Sequence, residues 1–270
     1  MTPYELVFGD TGFPTRVFPA LEREAAEHGT DPARRDRFAF LTVAEDALRE
    51  LVPPDAPPEM LDQFRAIFFH AFNFWRAGEP LLTMEPAVAR YLVEAAPEMA
   101  GWELALPHPS VYLQLPANLF WASVAVDATP EPVDGVFAVQ VRDQDPLGSA
   151  FRRLEVLLVL GIRRDRAGFS VMPFDTEVGP GITRVWAETP GREGSGEFAS
   201  ILPGGEMAGL YSILTTAEAL KLLARALWFA EAHPENVLPM EGVGAIEPRE
   251  QLPPSRLPHR RLTLGSVAPP

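Results

Sequence analysis

Apolar positions fall into two regimes along this chain. From about residue 15 to residue 100 they recur every three or four positions, the period of a helix. From Ser110 to Phe174 they crowd instead into short runs, SVYLQL, LFWASVAV, GVFAVQV, LEVLLVLGI and GFSVMPF, divided by polar, Pro- or Gly-bearing breaks. In the second run Phe120, Ala122, Val124 and Val126 alternate with Leu119, Trp121, Ser123 and Ala125. In the third, Phe137, Val139 and Val141 lie opposite Ala138 and Gln140. In the fourth, Val156, Leu158, Leu160 and Ile162 share one face while Leu157 and Val159 occupy the other. Apolar residues on both faces mark a strand covered on both sides. The breaks suit hairpins better than helical crossovers. The segments 110–115, 119–126, 134–142, 154–163 and 168–174 are therefore expected to pair in sequence order as an antiparallel meander.

The helical regime divides at its prolines. Thr15 is placed to cap a short helix ending near Glu27. Asp31-Pro32, a cap followed by a first-turn proline, opens a second helix whose apolar face is Phe38, Leu41, Ala44, Leu48 and Leu51, and VPPDAPP ends it as a linker or tight corner. The next helix, PEMLDQFRAIFFHAFNFWRAG, is the most hydrophobic in the chain. Leu61, Phe64, Phe68, Ala71 and Trp75 form its stripe, and Met60, Ile67 and Phe72 widen it, which predicts burial between layers. EPAVARYLVEAAPE reads as a further short helix. Residues 175–209 are Gly-rich and read as an extended loop with a strand at ITRVWAE, after which Thr215 or Thr216 caps a helix to residue 233. The expected fold is α+β: one domain over 1–237, with an antiparallel sheet of about five strands over 110–174. Helices from 1–100 and the helix 215–233 pack it, and a Pro-rich tail at 238–270 is extended or partly disordered.

Composition narrows the function classes. A chain of 270 residues, 47% hydrophobic, builds a core without disulfides, and the absence of cysteine removes thiol nucleophiles and Cys-zinc sites. That absence suits a reducing cytosol, the opening MTPYELVFGD has neither the basic nor the apolar region of a secretory signal, and no apolar run approaches the ~20 residues of a membrane helix. A cytoplasmic protein without membrane contact is the expectation. The formal net charge of −14 disfavours non-specific nucleic-acid binding.

No motif carries catalysis. DQDPLG begins like a calcium loop, but Leu147 and Leu154 fill positions that need side-chain oxygens, so it reads as a turn. PGREGSGE and PGGE lack the lysine of a phosphate-binding loop, and no Gly-x-Ser-x-Gly elbow is present. His28, His70, His108, His233 and His259 have no zinc spacing, and His70, among phenylalanines, reads as a core histidine with one satisfied hydrogen bond. No cofactor, metal or catalytic residue is expected. Two basic groups remain: Arg163, Arg164 and Arg166 after the fourth run, and Arg256, Arg260 and Arg261 around His259. Solvated charge is the ordinary reading of both. Arg163, Arg164, Arg166, Trp121, His259, Arg260 and Arg261 stand as the candidate partner-binding residues.

Taken in order, FRAIFFHAFNFWRAG, LPHPSVYLQLP, FWASV, VDGVFAVQV, LEVLLVLGI and LLARALWFAEAHPENV span about residues 60–237. In that order and with those gaps the chain resembles the type V-A anti-CRISPR family that suppresses production of the CRISPR effector nuclease, together with its plasmid- and chromosome-borne relatives. The resemblance implies a non-enzymatic recognition protein whose partner is a protein or nascent peptide. The family tail carries a basic, His- and Trp-rich stretch beginning Pro-His-x-Arg-Arg. Pro258-His259-Arg260-Arg261 matches its start, but LTLGSVAPP follows in place of the aromatic cluster. Arginines without stacking aromatics argue against an RNA partner. The alternative is an enzyme of unknown class with the Gly-rich loop as a lid. A pocket of converging acids, His and Arg would favour it, whereas an exposed apolar groove or open sheet edge would favour peptide binding. The oligomeric state is not legible.

Overall fold

The computed structural model describes residues 1–94, 99, 101–122, 129–144, 150–163, 168–179, 207–242 and 255–265. Its strands are β1 (Leu81–Met84), β2 (Ser110–Gln114), β3 (Trp121–Ala122), β4 (Glu131–Gln144), β5 (Ala150–Arg163), β6 (Gly168–Val178), β7 (Val237–Met240) and β8 (His259–Leu262). They form one mixed sheet in the order β6-β5-β4-β2-β1-β8-β7, with β3 beside β4.

The hairpins β4–β5 and β5–β6 follow the expected antiparallel register, with Phe137 opposite Leu157 and Leu157 opposite Pro173. The second run also pairs antiparallel with the third, as β3 on β4, and it is the first run that leaves the meander. β2 pairs with β4, Tyr112 opposite Phe137, and β3 meets β4 further along, Trp121 opposite Pro132. The first two apolar runs therefore share one lane, broken by residues 116–120, where Asn118 takes a left-handed φ of 60°. Beyond β2 the sheet is parallel: β1 pairs in parallel with both β2 and β8, and β7 closes antiparallel on β8. About five antiparallel strands thus become eight in a mixed sheet. Part of the segment read as tail is built into it.

Helices cover both faces. On one lie two short π-helical turns (Glu5–Gly9 and Phe13–Val17), α1 (Phe18–Glu27), α2 (Arg35–Phe38), α3 (Thr42–Leu51) and α4 (Pro58–Arg76), packed on Leu81, Tyr112, Phe137, Leu157 and Val159. On the other lie α5 (Pro86–Glu94) and α6 (Met207–Ala232), packed on Leu82, Leu113, Val136, Leu158 and Leu160. α6 begins well before Thr215, within the segment read as Gly-rich loop, while β6 takes residues 175–178 of that segment. Residues 180–206, including ITRVWAE, lie outside the described residues.

Two local departures have clear causes. The single helix expected over residues 31–51 is split, because the Glu24 carboxylate of α1 accepts the backbone N–H groups of Thr42 and Val43 at 2.7 and 2.9 Å and starts α3 afresh. Ile162 does not share a face with Leu160. Gly161, at φ 62°, shifts the β5 register, and Ile162 turns to the α4 side with Leu157 and Val159. The left-handed φ favours glycine here, and a Cβ, 2.6 Å from the Glu131 carboxyl carbon, would also push that side chain aside.

At the centre of the α4 layer Phe68 is fully buried. Its ring lies 5.5–6.1 Å from those of Phe8, Phe13, Phe18 and Phe38, which come from four different elements or turns of the first forty residues. Edge and tilted arrangements at these distances are favourable beyond area burial alone.

Candidate functional site

Proline and helical periodicity together make a groove. On α3, Glu45, Leu48, Arg49 and Val52 recur at three and four and so share one face. Leu61 and Arg65, one turn apart on α4, face them, and Pro53, Pro54 and Ala56 form the corner between. The resulting cleft has a volume of about 480 Å³. Its floor is apolar and its rim is charged. The guanidinium of Arg49 is held by Glu45 at 2.6 Å and Asp46 at 3.0 Å, and Arg65 lies 3.4 Å from Asp62. These exposed pairs add little stability, but they fix where the rim charges stand. In the sequence VPPDAPP reads only as a corner. The signal for a groove is the half-buried pair Leu48 and Leu61, which the core does not fully absorb.

Among the described candidates, those on β8 stand apart from Trp121 and Arg163. Trp121 is 49% exposed on β3, beside Pro132. Arg163 ends β5 opposite Gly168, and Arg164 and Arg166 lie outside the described residues. On β8, His259 is buried and its Nδ1 lies 3.1 Å from the Leu257 carbonyl; Arg260 is exposed; Arg261 is 3.7 Å from Glu85. β1 separates β8 from the lane that β2 shares with the strand of Trp121. All three candidates from the segment read as tail, His259, Arg260 and Arg261, are thus built into the sheet.

The segment leading into β8 is tied to the start of the chain. The buried carboxylate of Glu5 accepts the Thr2 N–H at 2.7 Å, the Ser255 hydroxyl at 2.8 Å and the Arg256 N–H at 2.6 Å. The Arg256 guanidinium donates to both oxygens of Asp10 at 3.0 Å, and this hydrogen-bonded ion pair holds the Asp10 carboxyl below its usual range. Sequence reasoning missed Glu5 and Asp10, since nothing local marks a carboxylate whose partner lies some 250 residues away.

Two buried titratable groups lie between α4 and the sheet. His70 is sealed against Phe69 and Phe137, its Nδ1 makes no hydrogen bond, and burial with a smaller contribution from Arg35 lowers its pKa to about 3. It is a core histidine, as the sequence reads it, but the hydrogen bond expected of it is not found, and it is neutral near pH 7. Glu155 is buried on β5 opposite Asp175. Burial raises its pKa, while Arg153 at 3.0 Å opposes that shift. Among the described residues, no three His, Asp or Glu side chains are placed to hold a metal ion, and no helix is long and apolar enough to cross a membrane.

A scan against known protein families and a search of curated proteins each find no match. Among solved structures, the chain is similar to the crystal structure of AcrVA2, with 12% identity and a TM-score of 0.43 over 98% of this chain and 83% of that one. A likeness this distant says nothing of activity.

Proposed function

We propose that this chain is a non-enzymatic protein- or peptide-binding protein and that the α3–α4 groove is where its partner docks. The observation that carries the reading is the groove itself. It is an open cleft of about 480 Å³ with a floor of Leu48, Val52 and Leu61 and with rim charges held by their own ion pairs. Such a surface accepts one or two apolar side chains of a short peptide, while the rim selects against the wrong charge. The test is selection of displayed peptides on the full chain. Selected peptides are then titrated against Leu48→Asp and Leu61→Asp, both at half-buried positions. A loss of affinity of about tenfold or more is expected, since a carboxylate in the apolar floor removes the apolar contact and is costly to desolvate under a bound side chain. Unchanged affinity in both variants would place binding elsewhere.

The family resemblance of the ordered sequence motifs extends the proposal to an anti-CRISPR-type inhibitor of effector production. Co-expression with a type V-A effector nuclease, read by immunoblot, should lower the effector level. An unchanged level would reject that extension and leave the groove reading standing.

A further inference from the structure

The lane between β1 and β7 is filled by an unusual strand. Interior lanes are ordinarily apolar, because both faces are covered. β8 reads His-Arg-Arg-Leu, and only Leu262 gives it a fully buried apolar side chain. Its further attachments include backbone pairings to β1 and β7, ion pairs at the surface and, just upstream, the hydrogen bonds of Ser255 and the Arg256 N–H to the buried Glu5 carboxylate. Arg256–Asp10 and Arg261–Glu85 both keep solvent access. A strand held this way leaves at little cost in apolar burial. The fit is also imperfect. Thr83 Oγ1 in the lane wall, opposite Arg261, and His259 Nε2 in the strand are both buried without a hydrogen-bond partner.

The lane itself is walled by the apolar strands β1 and β7, and carboxylates stand at its ends. Asp10 takes the side chain of Arg256, Glu5 takes its backbone N–H, and Glu85 lies beside Arg261. A backbone pairing in parallel on one side and antiparallel on the other, with carboxylates beside Arg256 and Arg261, describes a receptor for an extended basic strand. We propose that this lane is a second binding site, separate from the α3–α4 groove, for an extended Arg-bearing segment of a partner protein. The chain's own residues 255–262 occupy it as a competing strand in cis. A tethered strand competes at an effective concentration in the ~mM range, so a partner peptide at μM concentration does not enter the intact protein.

The test uses the full chain and a fluorescent synthetic peptide of residues 255–265. The tail alone is weakened, by Arg256→Ala with Leu262→Ala, so that Glu5, Asp10 and Glu85 stay intact for the peptide. Fluorescence anisotropy should show binding to this variant at least tenfold tighter than to the wild type. Binding should be lost when Asp10→Ala is added or when the peptide is scrambled. Equal binding by wild type and variant, or equal binding of the scrambled peptide, would overturn the proposal. Should the variant not fold, hydrogen exchange on the wild type decides. The β8 amides should exchange at least 100-fold faster than those of β4 and β5. Exchange at the rate of β4 and β5 would mean that β8 never leaves alone, and the proposal fails.

Discussion

Phe68→Ala is the sharpest test of the packing described above. Phe68 is fully buried, and its ring meets those of Phe8, Phe13, Phe18 and Phe38. Truncating a buried phenylalanine costs about 3–5 kcal/mol through lost burial and the cavity left behind. The four ring contacts, at ~0.5–1.5 kcal/mol each, push the expected value to the upper part of that range rather than adding in full, because the neighbouring rings close in partly. A loss near 4 kcal/mol is about a quarter or more of the ~5–15 kcal/mol that holds a typical domain together. Equilibrium urea denaturation reports it through Trp75, whose indole lies 5.5 Å from the Phe18 ring. Leu158→Ala, on the opposite face of the sheet, is the matched control, with an expected cost of about 2–5 kcal/mol. The two residues belong to different clusters, so the double variant should equal the sum within ~0.5 kcal/mol. A Phe68→Ala loss below ~1 kcal/mol would refute the central place given to this ring.

Gly161→Ala should cost about 1–3 kcal/mol in the same assay, from the left-handed φ and the approach to Glu131; a neutral result would reject the register shift as described. His70 is depressed to about pKa 3, below its unfolded value near 6.5, so the unfolded chain binds the extra proton between those limits. Its contribution is complete above pH ~6.5 and falls as pH drops toward ~3, by about 2 kcal/mol between pH 7 and 5, and His70→Leu should remove that fall. Equal losses in wild type and variant would show that His70 does not titrate as a buried group. RNA binding tighter than ~10 μM is not expected at physiological salt, since Arg256 is committed to Asp10 and Arg261 lies beside Glu85. Anisotropy with the full chain and with Arg260→Ala decides, and tight, salt-sensitive binding lost in the variant would contradict it.

What the sequence made legible follows from where its signals are local. α4, β4, β5 and β6 announce themselves because an unbroken apolar pattern and its partner lie within a few dozen residues. β1 is only Leu-Leu-Thr-Met, too short for a pattern to distinguish, and β8 carries three polar residues in four. Their strand character comes from the neighbours they acquire across the sheet, which no window of sequence contains. The lane shared by β2 and β3 was misread for a related reason. Pro116-Ala117-Asn118 has the look of a hairpin, and only the position of β4 shows that the chain resumes along the same edge. The Glu24 cap on α3 and the Glu5 carboxylate behind Arg256 are invisible in the same way. The α3–α4 groove was half legible, its prolines marking a corner while the open face beside it went unread.

The parallel pairing of β1 with β8 also sets a clock on synthesis. β1 is complete at Met84, and its neighbour does not exist until Leu262 has been joined. At ~5–20 residues per second the interval is on the order of 10–40 s, long compared with the ~μs formation of a local hairpin such as β4–β5. Throughout it, one hydrogen-bonding edge of Leu81–Met84 has no strand of its own chain to meet. The helical layer and the hairpins can assemble on the ribosome, but the sheet can be closed only after nearly the whole chain has emerged. That makes the nascent protein, rather than the finished one, the form most exposed to pairing with a foreign strand.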